Sequence, residues 1–164
     1  MSQVEISVRQ FEPGDAEDVW RLHRSALDHV GARGPEGVWE ADLRNIERVY
    51  IRSGGEFLIA RIGSQLAAMG ALKPVSDEVA ELKRLRVDPA LQRRGLGRRI
   101  LYELETRAVV LGFLSIVLDT TTVQVAAQRL YEAAGYLRCG YGVLHGYEVI
   151  HFKKRMSVRS CSRS

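Results

Sequence analysis

Residues 81–97 read ELKRLRVDPALQRRGLG. The first half predicts a strand that ends at Pro89, and the second half is a basic loop that opens directly into a helix. Gly95 and Gly97 remove side chains where backbone N–H groups must converge, and the helix N-terminus adds partial positive charge. The loop and the first helical turn also carry donor side chains, namely Gln92, Arg93, Arg94, Arg98 and Arg99. The segment therefore predicts an anion site for a ligand with closely spaced phosphates.

The spacing of this loop excludes two common phosphate-binding motifs. A dinucleotide fingerprint would need a third glycine at Ile100, and a P-loop would need a Gly-Lys dipeptide, which the sequence lacks. The pattern that remains is Gln92-x-x-Gly95-x-Gly97. It resembles the acetyl-CoA pyrophosphate loop of the GNAT superfamily of N-acetyltransferases, written Arg/Gln-x-x-Gly-x-Gly/Ala. Taken alone, the hexapeptide is equally compatible with a surface turn whose arginines are solvated.

A second motif follows in the order that the resemblance requires. One apolar helical face predicts a helix after the loop with a stop at Gly112, then a buried strand over residues 113–118 and a helix over residues 123–134. The threonines between them are expected to cap that last helix. It carries Ala127-x-x-Leu130-Tyr131, and Gly135-Tyr136 ends it, which is similar to the family pattern Asn-x-x-Ala-x-x-Leu-Tyr-x-x-x-Gly-Phe. Gln124 stands where the family has Asn.

Periodicity and turn residues predict the element order β-α-α-β-β-β-α-β-α-β-β. The second helix of this order is marked by Trp39, Leu43 and Ile46. The order is that of the GNAT family, so the expected fold is a mixed α/β one (α+β mixed sheet), a twisted sheet of about six to seven strands flanked by about four helices. The resemblance covers residues 5–154 and is specific from residue 79 to residue 136.

Length and composition indicate one domain over residues 1–155, followed by a tail over residues 156–164 without fixed structure. The net charge of +4 suits anionic ligands. Only two cysteines, Cys139 and Cys161, are present, which favours a reducing, cytoplasmic location. No signal peptide and no apolar run of about 18 residues is found, so no membrane association is expected.

The resemblance implies acetyl-CoA as co-substrate, with its pantetheine arm in an opening between the strand of residues 81–87 and the next parallel strand. No metal is expected. The positions matched to the cofactor are Leu85, Arg86, Val87, Gln92, Arg93, Arg94, Gly95, Leu96, Gly97, Arg98, Gln124, Ala127 and Tyr131. Strand alternation places Arg84 and Arg86 on one face with Leu82, and Glu81, Lys83, Leu85 and Val87 on the other, unless a bulge intervenes.

Three residues are candidates for the proton transfers of an acetyl transfer. Tyr131 matches the family tyrosine that protonates the departing thiolate, and its alternative role is packing against the sheet. Glu81 matches a glutamate that acts as base through water in histone-type relatives, and its alternative is a solvated strand end. Asp119 follows the next strand and is an alternative base or a ligand for the substrate ammonium. His145 and His151 are weaker candidates.

Two functions remain open at this point. The first is an N-acetyltransferase in which a bound primary amine attacks acetyl-CoA directly in a ternary complex. The second is a non-catalytic binding module that contacts nucleic acid or protein through its arginine-rich surface. Nucleic acid is not expected, because aromatic residues form only 7% of the chain and none interleave a basic stretch. The resemblance implies an acceptor pocket formed by residues 30–39 and 139–147, which carry no readable motif. The oligomeric state, a homodimer included, is left open.

Overall fold

The computed structural model describes residues 4–31 and 38–157. Its centre is a seven-stranded sheet in the order β1-β2-β3-β4-β5-β7-β6. β4 and β5 run parallel, and the other neighbouring pairs are antiparallel. The strands are β1 (Ile6–Gln10), β2 (Glu56–Ile62), β3 (Gln65–Pro74), β4 (Val79–Val87), β5 (Ser115–Thr121), β6 (Leu137–Leu144) and β7 (Tyr147–Arg155).

Helices cover both faces of this sheet. They are α1 (Ala16–Val30), α2 (Leu96–Val110) and α3 (Val125–Ala133). Between α1 and β2 the chain forms a 3-10 helix, Val38–Arg44, and a short π-helix, Glu47–Ile51. Two hydrophobic clusters result: α2 and α3 contribute to the larger one, and α1 with the 3-10 and π segments contributes to the smaller one.

β2 and β3 are buried on both faces, which explains their nearly continuous apolar sequence. Successive side chains of a strand point to opposite faces. Leu58 and Ala60 accordingly belong to the larger cluster, whereas Phe57 and Ile59 belong to the smaller one. The sheet is thus the shared middle layer of two cores.

The predicted fold class is confirmed, and the strands follow one another along the chain in the predicted places, with local corrections. The segment predicted as a second α-helix, around Trp39, Leu43 and Ile46, is a 3-10 helix followed by a π-helix. β5 begins at Ser115 and runs to Thr121, because Phe113 packs into the larger core as part of the preceding turn. Residues 32–37 of the predicted acceptor pocket and residues 158–164 of the predicted tail lie outside the described residues.

Gly70 on β3 sets how closely α2 approaches the sheet. A Cβ atom at this position would lie 2.8 Å from Ile100 Cγ2 and 2.8 Å from Leu104 Cδ1. Both leucine and isoleucine are fully buried, so neither can swing away into solvent. Gly14, in contrast, has no atom within 4 Å of such a Cβ.

Gly70→Ala is expected to destabilise the protein by about 1–3 kcal/mol, because an added methyl group overpacks the contact between α2 and β3. Urea unfolding measures the change in the free energy of unfolding. The matched control is Gly14→Ala, which meets open space and should be neutral or stabilise by up to about 1 kcal/mol. Equal stabilities of the two variants would contradict the close approach of α2.

Candidate active site

β4 and β5 separate soon after they pair. Their parallel register holds from Val79 opposite Ser115 to Glu81 opposite Val117, and the described strands pair no further. Beyond that point β4 stays bonded to β3 and β5 stays bonded to β7. The strands therefore open like a V, and a cavity of about 280 Å³ lies at the opening.

A β-bulge decides which side chains of β4 face this cavity. Met69 pairs with Arg86 and Ala71 with Lys83, so Arg84 and Leu85 together oppose the single residue between them on β3. Arg84 takes a left-handed conformation with φ of 59°. The bulge breaks the alternation that would have placed Arg84 and Leu82 on the same face.

The bulge separates the charged and the apolar residues of β4. Leu82 and Leu85 pack into the larger core with α2. Arg84 bonds to Asp42, a residue of the 3-10 segment on the opposite side of the sheet. The expectation that Arg84 shares a face with Leu82 is therefore wrong, for the reason foreseen, because a bulge intervenes.

The ion pair of Arg84 and Asp42 holds this bulge in place on the face of the sheet opposite the larger core. Arg84 Nε and Nη2 donate to the two carboxylate oxygens of Asp42 at 2.9 and 2.6 Å. Tyr50 also donates a hydrogen bond to Asp42. Burial alone would raise the pKa of Asp42, but the hydrogen bonds and charge of Arg84 outweigh burial and lower it. The two side chains are therefore a permanent ion pair near neutral pH.

The loop between β4 and α2 leads directly into the N-terminus of α2. Arg93 and Gly95 both take left-handed conformations, with φ of 63° and 77°, and Gly95 precedes the first residue of α2. A Cβ at Gly97 would make a tight contact of 3.2 Å with Leu130 of α3, so this position lies close to that helix. The arginines of the loop and the first turn are exposed, so their charge faces solvent beside the helix N-terminus.

Tyr131 of α3 lies at the cavity wall and is almost entirely shielded from solvent. Its ring packs edge-on against Tyr136 and near Phe152. Burial raises the pKa of Tyr131 to about 12, although the nearby positive charge of Arg86 partly opposes this. The phenol therefore stays protonated throughout the physiological range and is available as a donor.

Glu81 and Asp119 line the same cavity. Glu81 lies opposite Val117 on β5, and Asp119 is two residues further along that strand, so both carboxylates project from one face of the sheet. Both side chains are 30% exposed, and the Glu81 carboxylate lies 3.9 Å from Lys83 Nζ. The structure thus brings the two predicted carboxylates together with Tyr131.

His151 supports Asp119 from the neighbouring strand. The two residues are register partners on β7 and β5, and His151 Nδ1 hydrogen-bonds to the Asp119 carboxylate. Glycines on β6 make room for the imidazole: a Cβ on Gly142 would lie 2.9 Å from His151 Nε2, and one on Gly140 would lie 3.3 Å from Cδ2. His145 also lines the cavity, from the turn between β6 and β7.

A buried histidine and glutamate in the cavity wall were missed from the sequence. His23 of α1 is fully buried, and its Nε2 lies 2.9 Å from Glu40 Oε1. Burial, together with the neighbouring positive charges of Arg86 and Arg84, lowers the pKa of His23 to about 3, so the ring is neutral. The signal was present, because His23 follows Val19 by four residues on the apolar stripe of α1.

The start of α3 differs from expectation in its hydrogen bonds. The hydroxyl groups of Thr120 and Thr121 do not cap the helix; they donate to Gln124 Oε1 at 3.2 and 3.0 Å. The backbone N–H of Thr121 donates to the same oxygen. Gln124 and Ala127, both predicted to contact the cofactor, line the cavity. A ligand contact from the Gln124 side chain would then come from its amide nitrogen.

Two negative findings concern the part of the chain that the structure describes. Within residues 4–31 and 38–157, no group of three or more His, Cys, Asp or Glu side chains is arranged to hold a metal ion. In the same residues, no helix combines the length and apolar character that crossing a membrane requires.

The chain belongs to the Acetyltransferase (GNAT) family, which it matches over residues 16–136. A relative, the N-acetylaspartate synthetase of Xenopus tropicalis, is 32% identical over 107 residues, which are 64% of this chain and 40% of that protein. The mycothiol acetyltransferase of Cellulomonas flavigena is 30% identical over 156 residues, which are 86% of this chain and 43% of that protein. The chain thus spans less than half the length of these two relatives.

Solved structures of low sequence identity share the fold. An acetyltransferase of the GNAT family from Staphylococcus aureus Mu50 has a TM-score of 0.85 at 18% identity, with 93% of this chain and 100% of that chain covered. The PaiA N-acetyltransferase from Thermoplasma acidophilum, in complex with coenzyme A, has a TM-score of 0.73 at 20% identity, with 92% and 99% covered.

Gly95→Asp is expected to abolish coenzyme A binding, because it places a negative charge where the pyrophosphate would lie. Isothermal titration calorimetry with coenzyme A measures the loss. Gly95→Asn is the matched control: it has the same size, tolerates a left-handed conformation and carries no charge. It should retain most of the affinity. Unchanged affinity in the aspartate variant would contradict the assignment of the loop.

Proposed function

We propose that the protein is an acetyl-CoA-dependent N-acetyltransferase that acetylates a primary amine of a small molecule or peptide by direct attack in a ternary complex. The observation that carries this proposal is the opening between β4 and β5, where Tyr131, Glu81 and Asp119 line one cavity. Membership of the GNAT family supports the same reaction class. The two named relatives are designated by different products or substrates, so their names do not identify the acceptor.

The residues of the opening fit acetyl-CoA. Beyond Glu81, one edge of β4 is not paired with β5. We assign the backbone of Leu85, Arg86 and Val87 on this edge to binding of the pantetheine arm. Residues 92–98, with exposed arginines and left-handed Gly95 at the start of α2, are assigned to the pyrophosphate. Gln124, Ala127 and Tyr131 of α3 and its N-cap would flank the arm from the other side.

The base is assigned to the carboxylates on the sheet face. Acetyl-CoA supplies a thioester, and an alkylamine with a pKa of about 10 must lose a proton before it can attack the thioester carbonyl. Glu81 is proposed as the group that accepts this proton, directly or through water. Asp119, held by His151, is proposed to bind the ammonium form of the acceptor or to replace Glu81 as base.

Tyr131 is proposed as the donor to the departing sulfur. With a pKa of about 12, the phenol is a weaker acid than an ordinary thiol, whose pKa is about 8.5. A hydrogen bond to the sulfur is therefore the first contribution of Tyr131, and complete proton transfer becomes favourable only if the bound state lowers the phenol pKa. Arg86 provides a positive charge beside Tyr131 that acts in this direction.

The reaction class is tested by a panel of primary amines, which includes amino acids, peptides, polyamines and aminosugars, assayed by release of coenzyme A. Release that depends on both acetyl-CoA and one class of amine would support the proposal. Absence of release with every amine would overturn it. In that case, nucleic-acid binding that weakens steeply with salt would favour the alternative of a binding module.

Tyr131→Phe keeps the aromatic packing and removes the donor. We expect kcat to fall about 10-fold if only a hydrogen bond is lost, and about 10²–10⁴-fold if the proton is transferred. Steady-state kinetics with the best amine of the panel measures the change, and thermal unfolding should show nearly unchanged stability.

The pH profile of the wild type supplies the control for this variant. A raised pKa keeps the donor protonated to higher pH, so kcat/KM should show no loss from Tyr131 below about pH 10, given its pKa of about 12. An unchanged kcat in Tyr131→Phe, with chemistry shown to be rate-limiting, would contradict the donor role and leave Tyr131 with packing alone.

Glu81→Gln and Asp119→Asn are expected to affect different kinetic constants. Loss of the base should lower kcat about 10²–10⁴-fold and remove the rise of rate with pH, while the affinity for acetyl-CoA stays nearly intact. Loss of an ammonium-binding charge should mainly raise KM for the acceptor. If Glu81→Gln keeps full activity and the wild-type pH profile, Glu81 is not the base, and that role belongs to Asp119 or to an ordered water.

A further inference from the structure

Within the part of the chain that the structure describes, Arg86 is a positive charge at the cavity wall without a negative partner. In the same residues its buried Nε has no hydrogen-bond partner, and its Nη1 donates to the carbonyl oxygen of Leu85 at 2.9 Å. Among the residues that the structure describes, no carboxylate lies within 4 Å of its guanidinium. A partly buried cation without a counter-charge is unfavourable by itself. Such a group is suited to a ligand that brings its own anion.

The other charged side chains around the cavity each have a partner. Arg84 is bound to Asp42, Lys83 lies near Glu81, and Asp119 is bonded to His151. Glu40 accepts from His23. Within the described lining, Arg86 therefore differs from its neighbours in having charge but no compensating side chain.

Two buried acceptor atoms complement this unpaired donor. Neutral His23 donates through Nε2 to Glu40 Oε1. Among the described residues, the lone pair of His23 Nδ1 and the second oxygen, Glu40 Oε2, then have no partners. Both residues belong to the cavity lining. A ligand that satisfies all three atoms must carry an anionic acceptor group for Arg86 and N–H donors for His23 and Glu40.

The charge of the lining is balanced. Its described residues include three carboxylates, Glu40, Glu81 and Asp119, and three cationic side chains, Lys83, Arg84 and Arg86. A polyamine would meet repulsion from the basic side chains, and a dicarboxylate without an amine would meet repulsion from the acidic ones. A dipolar ligand is the complement of such a surface.

We propose that the amine acceptor is a small zwitterion of the amino-acid class, whose carboxylate binds the guanidinium of Arg86. This proposal rests on the proposed acetyltransferase function and specifies the substrate class of the same cavity. A volume of about 280 Å³, shared with the acetyl end of the donor, suits a single amino acid. Arg86 is then a specificity-determining residue. Its planar guanidinium can form two parallel hydrogen bonds to a carboxylate, and a simple amine has no carboxylate to accept them.

Arg86 has a second conceivable role, which the test must separate from carboxylate binding. Because it lies near Tyr131, its charge could act on the thioester instead of the acceptor. A role at the thioester would affect every acceptor equally. A role in carboxylate binding lowers the activity with acceptors that carry a carboxylate more than the activity with their neutral analogues.

The experiment compares matched acceptors with wild type and Arg86→Gln. The acceptors are the twenty standard L-amino acids, their amides, and the corresponding amines without the carboxyl group, assayed by release of coenzyme A. In the wild type, the acid of the best set should exceed its amide in kcat/KM. In Arg86→Gln, the ratio of kcat/KM for the acid to kcat/KM for the amide should fall about 10- to 150-fold, the range for loss of a hydrogen bond to a charged group. A loss through Tyr131 or the donor site is common to both acceptors and cancels in this ratio.

Binding provides a readout that is independent of turnover. With coenzyme A present, the best amino acid should raise the unfolding temperature of the wild type, because a ligand of the folded state stabilises it. The same amino acid should not raise the unfolding temperature of Arg86→Gln. Arg86→Lys keeps the positive charge but lacks the planar guanidinium, and its rise in unfolding temperature should be intermediate. Arg138→Gln, which removes an exposed arginine paired with Glu132 outside the cavity, is the control for net charge.

The outcomes separate this proposal from the acetyltransferase function on which it rests. Release of coenzyme A with acids and amides at equal kcat/KM, or an equal loss for both in Arg86→Gln, would overturn carboxylate recognition and leave the acetyltransferase function intact. Absence of release with every acceptor, together with no thermal shift by any amino acid, would overturn both.

Discussion

The parallel pairing of β4 and β5 ends after Glu81 and Val117, and the rest of the candidate site depends on this early separation. Each strand is anchored on its other edge, β4 by β3 and β5 by β7, so the opening does not require either strand to detach from the sheet. Buried backbone polar groups need partners. A strand edge that opens into a cavity can take them from water or from a ligand with amide groups.

The bulge in β4 decides which side chains of this strand face the core and which supply charge at the opening. A left-handed arginine costs about 1–3 kcal/mol and persists only where its surroundings hold it, and the bidentate contact of Arg84 with Asp42 supplies that restraint. The extra residue allows Leu82 and Leu85 to stay in the core under α2 while Arg84 faces the opposite side. One local distortion thus lets β4 complete an apolar core and supply charge to the cavity.

Residues that lie close in the chain were predictable, and residues brought together from distant segments were not. The loop before α2 and Tyr131 of α3 lie in local patterns of glycine spacing and helical periodicity, and the structure places both as expected. Glu81 and Asp119 were singled out separately from the sequence, and their common face follows from the parallel register that sets Glu81 opposite Val117. His23 and Glu40 could not be paired from the sequence, since their contact depends on the 3-10 segment that was predicted as an α-helix.

The sequence by itself determined the order of strands and helices, the glycine-containing loop and the membership of the family, because short-range periodicity and turn residues encode these features. Only the tertiary structure decided where β4 leaves β5, which face Arg84 takes and which buried polar atoms lack partners. These depend on pairing registers and on contacts such as that of Arg84 with Asp42, 42 residues away in the chain. Burial is a property of the packed whole, so Arg86 and His23 acquire their electrostatic character only once α1, β4 and α3 surround them.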